Sequence, residues 1–205
     1  LHFALTNLVS AHAADAVWFN SAFHRDQLLP AWRDLLRAMP DQQPLKIVDT
    51  IEAKSDVEHP GIESPTTSRE QKLADAPARL LWAARWEHDK GPATFFAALR
   101  RLVDAGVDFR VSVIGQQFAE RPPEFGEAQG WLGDRIVRWG WQETRDAYES
   151  ALAEADVFIS TAEHEFFGIA AVEAAAAGCT CVLPRRLAYP EVFGDDGAVW
   201  HDGTA

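Results

Sequence analysis

Cysteine is scarce in this sequence. The 205 residues include two cysteines, Cys179 and Cys181, which are separated by one residue. If they lie on a strand, their side chains point to opposite faces and cannot form a disulfide with each other. The sequence therefore excludes a small disulfide-stapled fold and indicates a reducing compartment, and we expect a cytoplasmic protein.

Positive charge is also in short supply. The chain has 19 Lys and Arg residues against 31 Asp and Glu residues, which gives a formal net charge of −12 at pH 7. Such a chain would repel the phosphates of a nucleic acid. The charge balance therefore argues against a broad nucleic-acid-binding surface on this chain alone.

Long hydrophobic runs are missing as well. The most apolar run, Ile169 to Ala177, contains Glu173 and is far too short to cross a bilayer. The opening stretch from Leu1 to Val17 lacks the basic flank of a signal peptide. Because the first residue is not Met and the last residues do not complete an element, we expect an internal part of a longer protein.

Two segments of different character make up the chain. Within residues 1–60, the apolar pattern predicts a buried strand near Asp15–Ser21 and an amphipathic helix near Ala22–Met39. A segment of this length buries a modest core, so we interpret it as the C-terminal part of a larger domain. The first part of residues 61–77 is rich in Gly, Pro, Ser and Thr, so we predict that these residues form a linker.

Residues 78–205 alternate regularly between strands and helices. The predicted strands are Leu80–Ala84, Phe109–Ile114, Ile136–Trp139, Val157–Thr161 and Thr180–Leu183. The predicted helices are Ala93–Ala105, Thr144–Ala155 and Gly168–Ala177. This alternation predicts an α/β fold, a Rossmann-like domain with a parallel sheet covered by helices on both faces. Ligands bind such sheets beyond the carboxyl ends of the strands, so the loops there are the candidate binding region.

The loop after the first of these strands carries two cations, Arg85 and Lys90, just before a helix that Pro92 can start. Two cations beside a helix N-terminus suit an anion, and a diphosphate is the natural ligand. The alternative is a solvated loop in which the cations pair with Glu87 and Asp89. The spacing leaves both interpretations open.

Glycine and tryptophan follow the next two strands. Gly115 would let the backbone pass close to a ligand, although a tight turn would need it equally. Trp139 and Trp141 flank a glycine, and large aromatics beside a strand are more often core. We assign Trp139 to the core and leave Trp141 as a candidate wall for a base or sugar.

The most specific local signal is a pair of glutamates after the fourth strand. Glu165 lies before the predicted helix and Glu173 within it, so both carboxylates can face one cleft and bind sugar hydroxyls. The amides near Phe167 and Gly168, at the helix N-terminus, would face phosphate. Glu173 could instead be an exposed helical residue, but its neighbours are apolar on every side, so its carboxylate needs a partner.

These motifs together resemble the GT-B retaining glycosyltransferases of family 4. The run from Glu165 through Glu173 resembles that family's Glu-x7-Glu motif. The loop from Arg85 to Gly91 resembles its Gly-Arg…Lys-Gly phosphate loop, with Ala84 in place of the usual glycine. Asp156–Ser160 and Tyr189–Val192 match in order and spacing. The resemblance implies a GT-B fold, with the donor site in residues 78–205 and residues 1–60 ending an N-terminal Rossmann-like domain.

A narrower resemblance is to the tRNA-queuosine α-mannosyltransferase family. It is carried by Trp86–Lys90, Ser112–Gly115, Ser160–Gly168 and Tyr189–Glu191, with upstream matches at Thr6-Asn7, Ala14-Asp15, Phe19–Ser21 and Phe23-His24. The resemblance implies transfer of mannose from GDP-mannose to queuosine in a tRNA, with retention at the anomeric carbon. The tRNA would be bound through the N-terminal domain, most of which lies outside this chain.

The family also implies roles for individual residues. Arg85 and Lys90 would neutralise the donor diphosphate, and Glu165 would contact the sugar; these are the implied catalytic residues. Donor binding would involve Glu173 on the ribose and the residues near the two loops, namely Phe167, Gly168, Ile169, Gly115 and Trp141. GT-B enzymes generally need no metal, and the sequence contains no Asp-x-Asp motif. We therefore expect no metal and no cofactor apart from the nucleotide-sugar donor.

The sequence supports two alternative functions to different degrees and excludes a third. A family 4 enzyme that acts on a small molecule, lipid or glycan is favoured over a tRNA enzyme by the charge of −12. A noncatalytic nucleotide-sugar-binding module is less well supported, because the candidate donor residues are all present. An NAD-dependent oxidoreductase is excluded, because no Gly-x-Gly-x-x-Gly turn follows a strand.

Overall fold

The structure is a computed structural model that describes residues 2–67 and 76–204. The chain divides into two compact units, Leu1–Gly61 and Ile62–Ala205. The predicted linker, residues 61–77, contains residues 68–75, which lie outside the described residues. The linker and the domain boundaries therefore stay predictions.

The first unit contains helices and a short parallel strand pair: α1 (His2–Ala13), β1 (Val17–Phe19), α2 (Ala22–Arg37), α3 (Lys46–Glu52) and β2 (Ser55–Val57). The predicted strand and long helix are both present, and the helix ends at Arg37 rather than Met39. The side-chain oxygen of Ser21 accepts a hydrogen bond from the amide of His24 at 3.0 Å, which explains the start of α2.

The sequence does not predict α1. The C-terminal end of this helix is stabilised by a residue that lies far along the chain. The ammonium of Lys54 donates to the carbonyl oxygen of His12 at 2.7 Å and also to that of Ala14. A cation at the C-terminal end of a helix satisfies carbonyls that have no intrahelical partner. The core of this unit consists of Leu8, Phe19, Leu29, Trp32, Leu36, Val48 and Ile51.

The second unit contains six strands and five helices among its described residues. The strands are β3 (Ala78–Ala83), β4 (Phe109–Ile114), β5 (Ile136–Gly140), β6 (Val157–Ile159), β7 (Thr180–Pro184) and β8 (Val199–His201). The helices are α4 (Pro92–Asp104), α5 (Glu124–Leu132), α6 (Arg145–Glu154), α7 (Ile169–Ala176) and α8 (Tyr189–Phe193). The predicted strands and helices are confirmed with shifts of one or two residues, whereas α5, α8 and β8 are additional.

All six strands are parallel and lie in the order β5-β4-β3-β6-β7-β8. β3 is central: Leu81 lies opposite Ser112 of β4 on one side and opposite Phe158 of β6 on the other. The chain order therefore reverses between β3 and β6. This is the predicted α/β, Rossmann-like architecture, and the carboxyl ends of the strands share one edge.

Alternate residues of β3 enter different cores, as expected of a strand that is buried on both faces. Leu80 and Trp82 join the cluster formed with α4 and α5, which also holds Phe95, Phe96, Trp86 and Phe125. Leu81 and Ala83 join the cluster formed with α6 and α7, which also holds Cys179 and Cys181. The two cysteines are free and buried, which confirms that they form no disulfide with each other.

None of the described helices combines the length and the apolar character that spanning a bilayer requires.

Candidate active site

A cavity at the carboxyl edge of the sheet has a volume of about 490 Å³. The ends of β3, β4 and β5 and the first turns of α6 and α7 form its walls, and its lining includes Arg85, Gly115, Trp141, Arg145, Tyr148 and Ile169. A smaller cavity is lined by Lys90, Glu165, Gly168 and Tyr189. The two cavities share Ala83, Ala84 and Ala170, so they adjoin. The predicted binding edge therefore carries a concave site.

Gly115 allows two strand ends to meet at the floor of the larger cavity. Its backbone φ is +143°, a conformation that residues with a side chain rarely adopt. A Cβ added at this position would lie 1.8 Å from the carbonyl oxygen of Ala84. The contact is with backbone, so it cannot be relieved by a side-chain rotation. A glycine is therefore required where β4 leaves the sheet.

Arg85 lies at the rim of the larger cavity, directly after β3. Its guanidinium pairs with the carboxylate of Glu87 at 2.5 Å, and its side chain is 52% exposed. An ion pair this exposed contributes little stability. The guanidinium can therefore exchange Glu87 for an anionic ligand at small cost.

Lys90 is more firmly held than Arg85. Its side chain is 11% exposed, and its ammonium donates to the carbonyl oxygen of His164 at 2.6 Å. The same nitrogen lies 3.3 Å from the carboxylate of Asp89 and 3.5 Å from that of Glu165. Both ion pairs of the solvated-loop alternative are therefore present, and Lys90 also joins the loop after β3 to the loop after β6.

Glu165 already occupies an anion-binding position at the start of α7. One of its carboxylate oxygens accepts hydrogen bonds from the amides of Phe166 at 3.1 Å and Phe167 at 3.4 Å. The other oxygen faces Lys90. Two amides and an ammonium together stabilise negative charge, and here the Glu165 carboxylate supplies that charge.

Gly168 and Ile169 complete the N-terminal end of α7. Gly168 precedes the helix with a φ of +88°, and a Cβ there would lie 2.5 Å from the ring of Tyr189. The Tyr189 hydroxyl in turn lies 2.7 Å from the hydroxyl of Ser160 inside the core. Ile169 is 42% exposed and lines the larger cavity. The helix end is thus fixed in place by a buried side chain rather than by a capping side chain.

Glu173 has two strong partners on α6. Arg145 donates to one carboxylate oxygen at 2.8 Å, and the hydroxyl of Tyr148 donates to the other at 2.6 Å. The Glu173 side chain is 12% exposed, so the alternative of a solvent-exposed helical residue is wrong, and the predicted need for a partner is confirmed. Burial and the hydrogen bond to Glu173 raise the pKa of Tyr148, so its hydroxyl stays protonated and donates.

A second carboxylate extends this network. Arg145 also pairs with Glu149 at 2.9 Å, and the other oxygen of Glu149 accepts a hydrogen bond from the hydroxyl of Thr66. The pKa of Glu149 is lowered from its ordinary value. The hydrogen bond from Thr66 is the largest cause, and the hydrogen bond from Arg145 is the next. Thr66 precedes β3 in the chain, so this network joins the start of the second unit to Glu173.

The two candidate glutamates therefore do not line the same cavity. Glu165 lines the smaller cavity with Lys90, whereas Glu173 lies behind Arg145 and Tyr148, which line the larger one. Sequence reasoning missed both Arg145 and Tyr148. A signal was present in their spacing, because residues three apart on a helix share a face, and a buried carboxylate on the next helix needs donors.

Trp139 in β5 and Trp141 directly after it have the environments that the sequence suggested. Trp139 packs edge-on against Trp86 with ring centroids 5.3 Å apart, as a core residue does. Trp141 is 60% exposed and lines the larger cavity. An exposed indole in a cavity wall can stack on a planar ligand.

Within residues 2–67 and 76–204, no group of three or more His, Cys, Asp or Glu side chains is arranged to hold a metal ion.

Two family descriptions match this chain. Residues 1–62 match the N-terminal domain of tRNA-queuosine alpha-mannosyltransferase, and residues 77–205 match glycosyl transferases group 1.

Two curated relatives are similar in sequence. The tRNA-queuosine alpha-mannosyltransferase of Drosophila melanogaster is 36% identical in an alignment of 200 residues that covers 93% of this chain and 53% of that protein. A GDP-mannose-dependent alpha-(1-6)-phosphatidylinositol dimannoside mannosyltransferase of Mycobacterium tuberculosis is 37% identical over 120 residues, which are 58% of this chain and 30% of that protein. The chain thus spans about half of the first relative and less of the second.

A solved structure is similar in fold. The apo form of the lipopolysaccharide outer core galactosyltransferase WaaB superposes with a TM-score of 0.63 at 17% identity, covering 94% of this chain and 50% of that protein. At this identity the likeness concerns the fold alone, which is of the GT-B type. The match over residues 77–205, more than half of the sequence, shows that this chain belongs to the glycosyl transferases group 1 family.

Proposed function

We propose that this chain is part of a retaining glycosyltransferase that moves mannose from GDP-mannose to the queuosine of a tRNA. The observation that carries this proposal is the 36% identity to the Drosophila melanogaster enzyme, which extends over 93% of this chain and therefore through both units. The match of residues 1–62 to the N-terminal domain of that family gives independent support for the acceptor. GDP-mannose as donor agrees with the Mycobacterium tuberculosis relative, which is named as a GDP-mannose-dependent mannosyltransferase.

The donor binds in the two adjoining cavities at the carboxyl edge of the sheet. Trp141 stacks on the base, and Glu165 contacts the sugar with the amides near Phe167, Gly168 and Ile169. The contact of Glu173 with the ribose, which the family resemblance implies, requires the Arg145 side chain to move from its position between Glu173 and the larger cavity. Gly115 leaves room for the ligand to approach the backbone. The volume and position of the larger cavity, about 490 Å³ beside Arg85, suit a nucleotide.

Charge stabilisation is the main chemical contribution of the chain. When the bond between the anomeric carbon and the diphosphate breaks, its electron pair goes to the leaving phosphate oxygen. Arg85 and Lys90 meet that developing charge. The acceptor hydroxyl oxygen bonds to the same face of the anomeric carbon, and its proton passes to the leaving phosphate oxygen. Because these two cations neutralise the diphosphate, the proposal includes no metal and no other cofactor.

A second candidate is a group 1 glycosyltransferase with a lipid, glycan or small-molecule acceptor. The 37% identity to the dimannoside mannosyltransferase and the net charge of −12 favour it. The tRNA proposal is compatible with this negative net charge, because the tRNA binds mainly to the N-terminal domain. The proposed enzyme is cytoplasmic. A noncatalytic binding module is a weaker candidate, since Arg85, Lys90, Glu165 and Glu173 are all present in the sequence.

Calorimetric titration of this chain with GDP, UDP and ADP tests the donor. We expect GDP to bind most tightly, and GDP-mannose to bind more tightly than GDP-glucose. A preference for UDP or ADP would be consistent with a glycosyltransferase but would contradict the proposal that it is a GDP-mannose-dependent mannosyltransferase. If a folded sample binds none of the three nucleotides, the donor-site assignment is wrong.

Transfer by the full-length protein tests the acceptor. Radiolabelled mannose from GDP-mannose should appear in tRNA that contains queuosine and not in the same tRNA carrying guanosine at that position. The Glu165→Gln variant should lose most of the transfer. Labelling of a lipid or glycan fraction, with the tRNA unlabelled, would favour the second candidate.

A further inference from the structure

The polar side chains that line the larger cavity differ in whether they already have partners. Arg85 and Arg145 are both engaged in ion pairs, and the side-chain amide of Gln142 donates to the carbonyl oxygen of Gly140 at 3.2 Å. Glu143 also lines this cavity, and within residues 2–67 and 76–204 its carboxylate has no hydrogen bond or ion pair. A ligand in the cavity therefore meets a carboxylate that keeps its full accepting capacity.

The backbone on either side of Glu143 is anchored. The amide of Gly115 donates to the carbonyl oxygen of Gly140 at 3.1 Å, which joins the end of β5 to the end of β4. At the other side, the hydroxyl of Thr144 accepts a backbone hydrogen bond at 3.1 Å and caps the start of α6. Three residues separate the two anchors, so the position of Glu143 at the cavity wall is well defined.

The Glu143 wall lies away from the cations of the site. β5 is two strands from β3 in the sheet, and neighbouring strands are ~4.8 Å apart, so their ends are separated by about 10 Å. The smaller cavity, with Lys90 and Glu165, adjoins the larger one at the end of β3 and the first turn of α7. A diphosphate beside Arg85 therefore places the base of a nucleotide near Trp141 and Glu143.

A carboxylate with free oxygens distinguishes among the bases. It only accepts hydrogen bonds, so it suits a base that presents two donors side by side. Guanine presents N1–H next to its N2 amino group, whereas adenine, cytosine and uracil each place an acceptor beside the donor on that edge. Gln116 also lines the cavity, but a side-chain amide offers both a donor and an acceptor and can match any base. The discrimination therefore falls to Glu143.

We propose that Glu143 selects guanine as the base of the donor, by accepting hydrogen bonds from N1–H and from the N2 amino group while Trp141 stacks on the ring. The inference rests on the proposed function, because it assumes that a nucleoside diphosphate binds in the larger cavity. It deepens that function by assigning the choice of base to one side chain. Glu143 contacts the base and not the reacting atoms, so its replacement should change donor affinity.

The test compares GDP with inosine diphosphate (IDP), whose base lacks only the 2-amino group, by calorimetric titration. The wild-type chain should bind GDP about tenfold more tightly than IDP, because IDP loses one charge-assisted hydrogen bond. In Glu143→Gln one carboxylate oxygen becomes an NH₂ group, which turns a donor toward a donor of guanine. Its GDP affinity should fall about 10- to 100-fold, and its preference for GDP over IDP should shrink to about twofold.

Asp146→Asn is the matched control, because it removes the same charge. Asp146 lies in the first turn of α6, is exposed, and is outside the lining of the larger cavity among the described residues. This variant should bind GDP and IDP like the wild type. Glu143 is exposed as well, so both substitutions should leave the melting temperature unchanged, and thermal unfolding checks this.

The inference and the proposed function fail in different ways. Equal binding of GDP and IDP by the wild type, or an unchanged preference in Glu143→Gln, would overturn the role of Glu143 while nucleotide binding stands. An equal loss of both ligands in Glu143→Gln, or the same losses in Asp146→Asn, would also overturn it, because the effect would not pass through the 2-amino group. A folded wild-type chain that binds neither ligand would overturn the donor site and the inference together.

Discussion

The ammonium of Lys90 and the carboxylate of Glu165 lie 3.5 Å apart and join two loops that are 75 positions apart in the chain. Lys90 follows β3, and Glu165 follows β6, the neighbouring strand in the sheet. The contact fixes the smaller cavity before any ligand arrives. A bound phosphate would compete with Glu165 for the same ammonium.

Lys90→Met should weaken GDP binding about 10- to 100-fold and also lower the melting temperature, because the buried ammonium is bonded to the His164 carbonyl and lies beside Asp89 and Glu165. Methionine keeps the volume of the largely buried stem, and the amides of Phe166 and Phe167 still hold Glu165. Calorimetry and thermal unfolding measure the two effects. Lys54→Met is the contrasting control: it removes hydrogen bonds to the end of α1 and should lower stability without changing GDP binding. Unchanged affinity in Lys90→Met would contradict the role of Lys90.

Arg85→Ala should lower turnover in the full-length enzyme more than it lowers donor affinity. Its guanidinium meets charge that develops on the leaving group, so we expect about 10²- to 10³-fold in kcat and less than about tenfold in donor Kd. Steady-state kinetics and calorimetry give the two values. The control is Arg110→Ala, an arginine of β4 with a side chain 43% exposed, which should leave both unchanged. Equal turnover in Arg85→Ala and wild type would rule out the phosphate contact.

Gly115→Ala should destabilise the second unit by about 3 kcal/mol and abolish GDP binding, because the new Cβ would overlap the carbonyl oxygen of Ala84. Gly130→Ala is the matched control. Gly130 lies within α5, and among the described residues a Cβ added there would meet open space, so alanine should stabilise by about 0.5–1 kcal/mol. Urea unfolding followed by tryptophan fluorescence compares the two. If the Gly115→Ala variant is as stable as the wild type, the chain can leave β4 in another backbone conformation.

The pH dependence of stability should reveal the contact between Thr66 and Glu149. The folded pKa of Glu149 lies below its ordinary value of 4.5, so the contact stabilises the fold above that pH. This stabilisation is lost as the pH falls through the folded pKa. Thr66→Val should therefore lower Tm by about 2–4 °C at pH 7 and by less once the pH falls through the folded pKa of Glu149. Thr50→Val, which loses a hydrogen bond to the carbonyl of Lys46, should show no such pH dependence.

Much of the second unit could be predicted because its strands are short apolar runs buried on both faces. α5 was missed because Pro122 and Pro123 precede it and Gly126 and Gly130 lie within it, which is a weak helix pattern. α1 was missed because part of its stabilisation comes from Lys54, a residue far along the chain. Contacts of this kind depend on the folded arrangement and leave no local pattern.

The candidate site shows the same division. Arg85, Lys90 and Glu165 could be found because parallel strands bring the loops at their carboxyl ends to one edge. The positions of Arg145 and Tyr148 beside Glu173 depend on how α6 packs against α7. The sequence indicated that Glu173 needs a partner, but the identity of that partner required the structure.

The reversal of chain order between β3 and β6 has a consequence for the folding pathway. One wall of the larger cavity comes from the ends of β3, β4 and β5, and another comes from α7, which follows β6. An early intermediate made of β3, β4 and β5 would contain Arg85 and Gly115 but neither glutamate. Nucleotide affinity should therefore emerge only in the last stage of refolding, when the second half of the sheet docks on β3, and a nucleotide present during refolding would trap that final step.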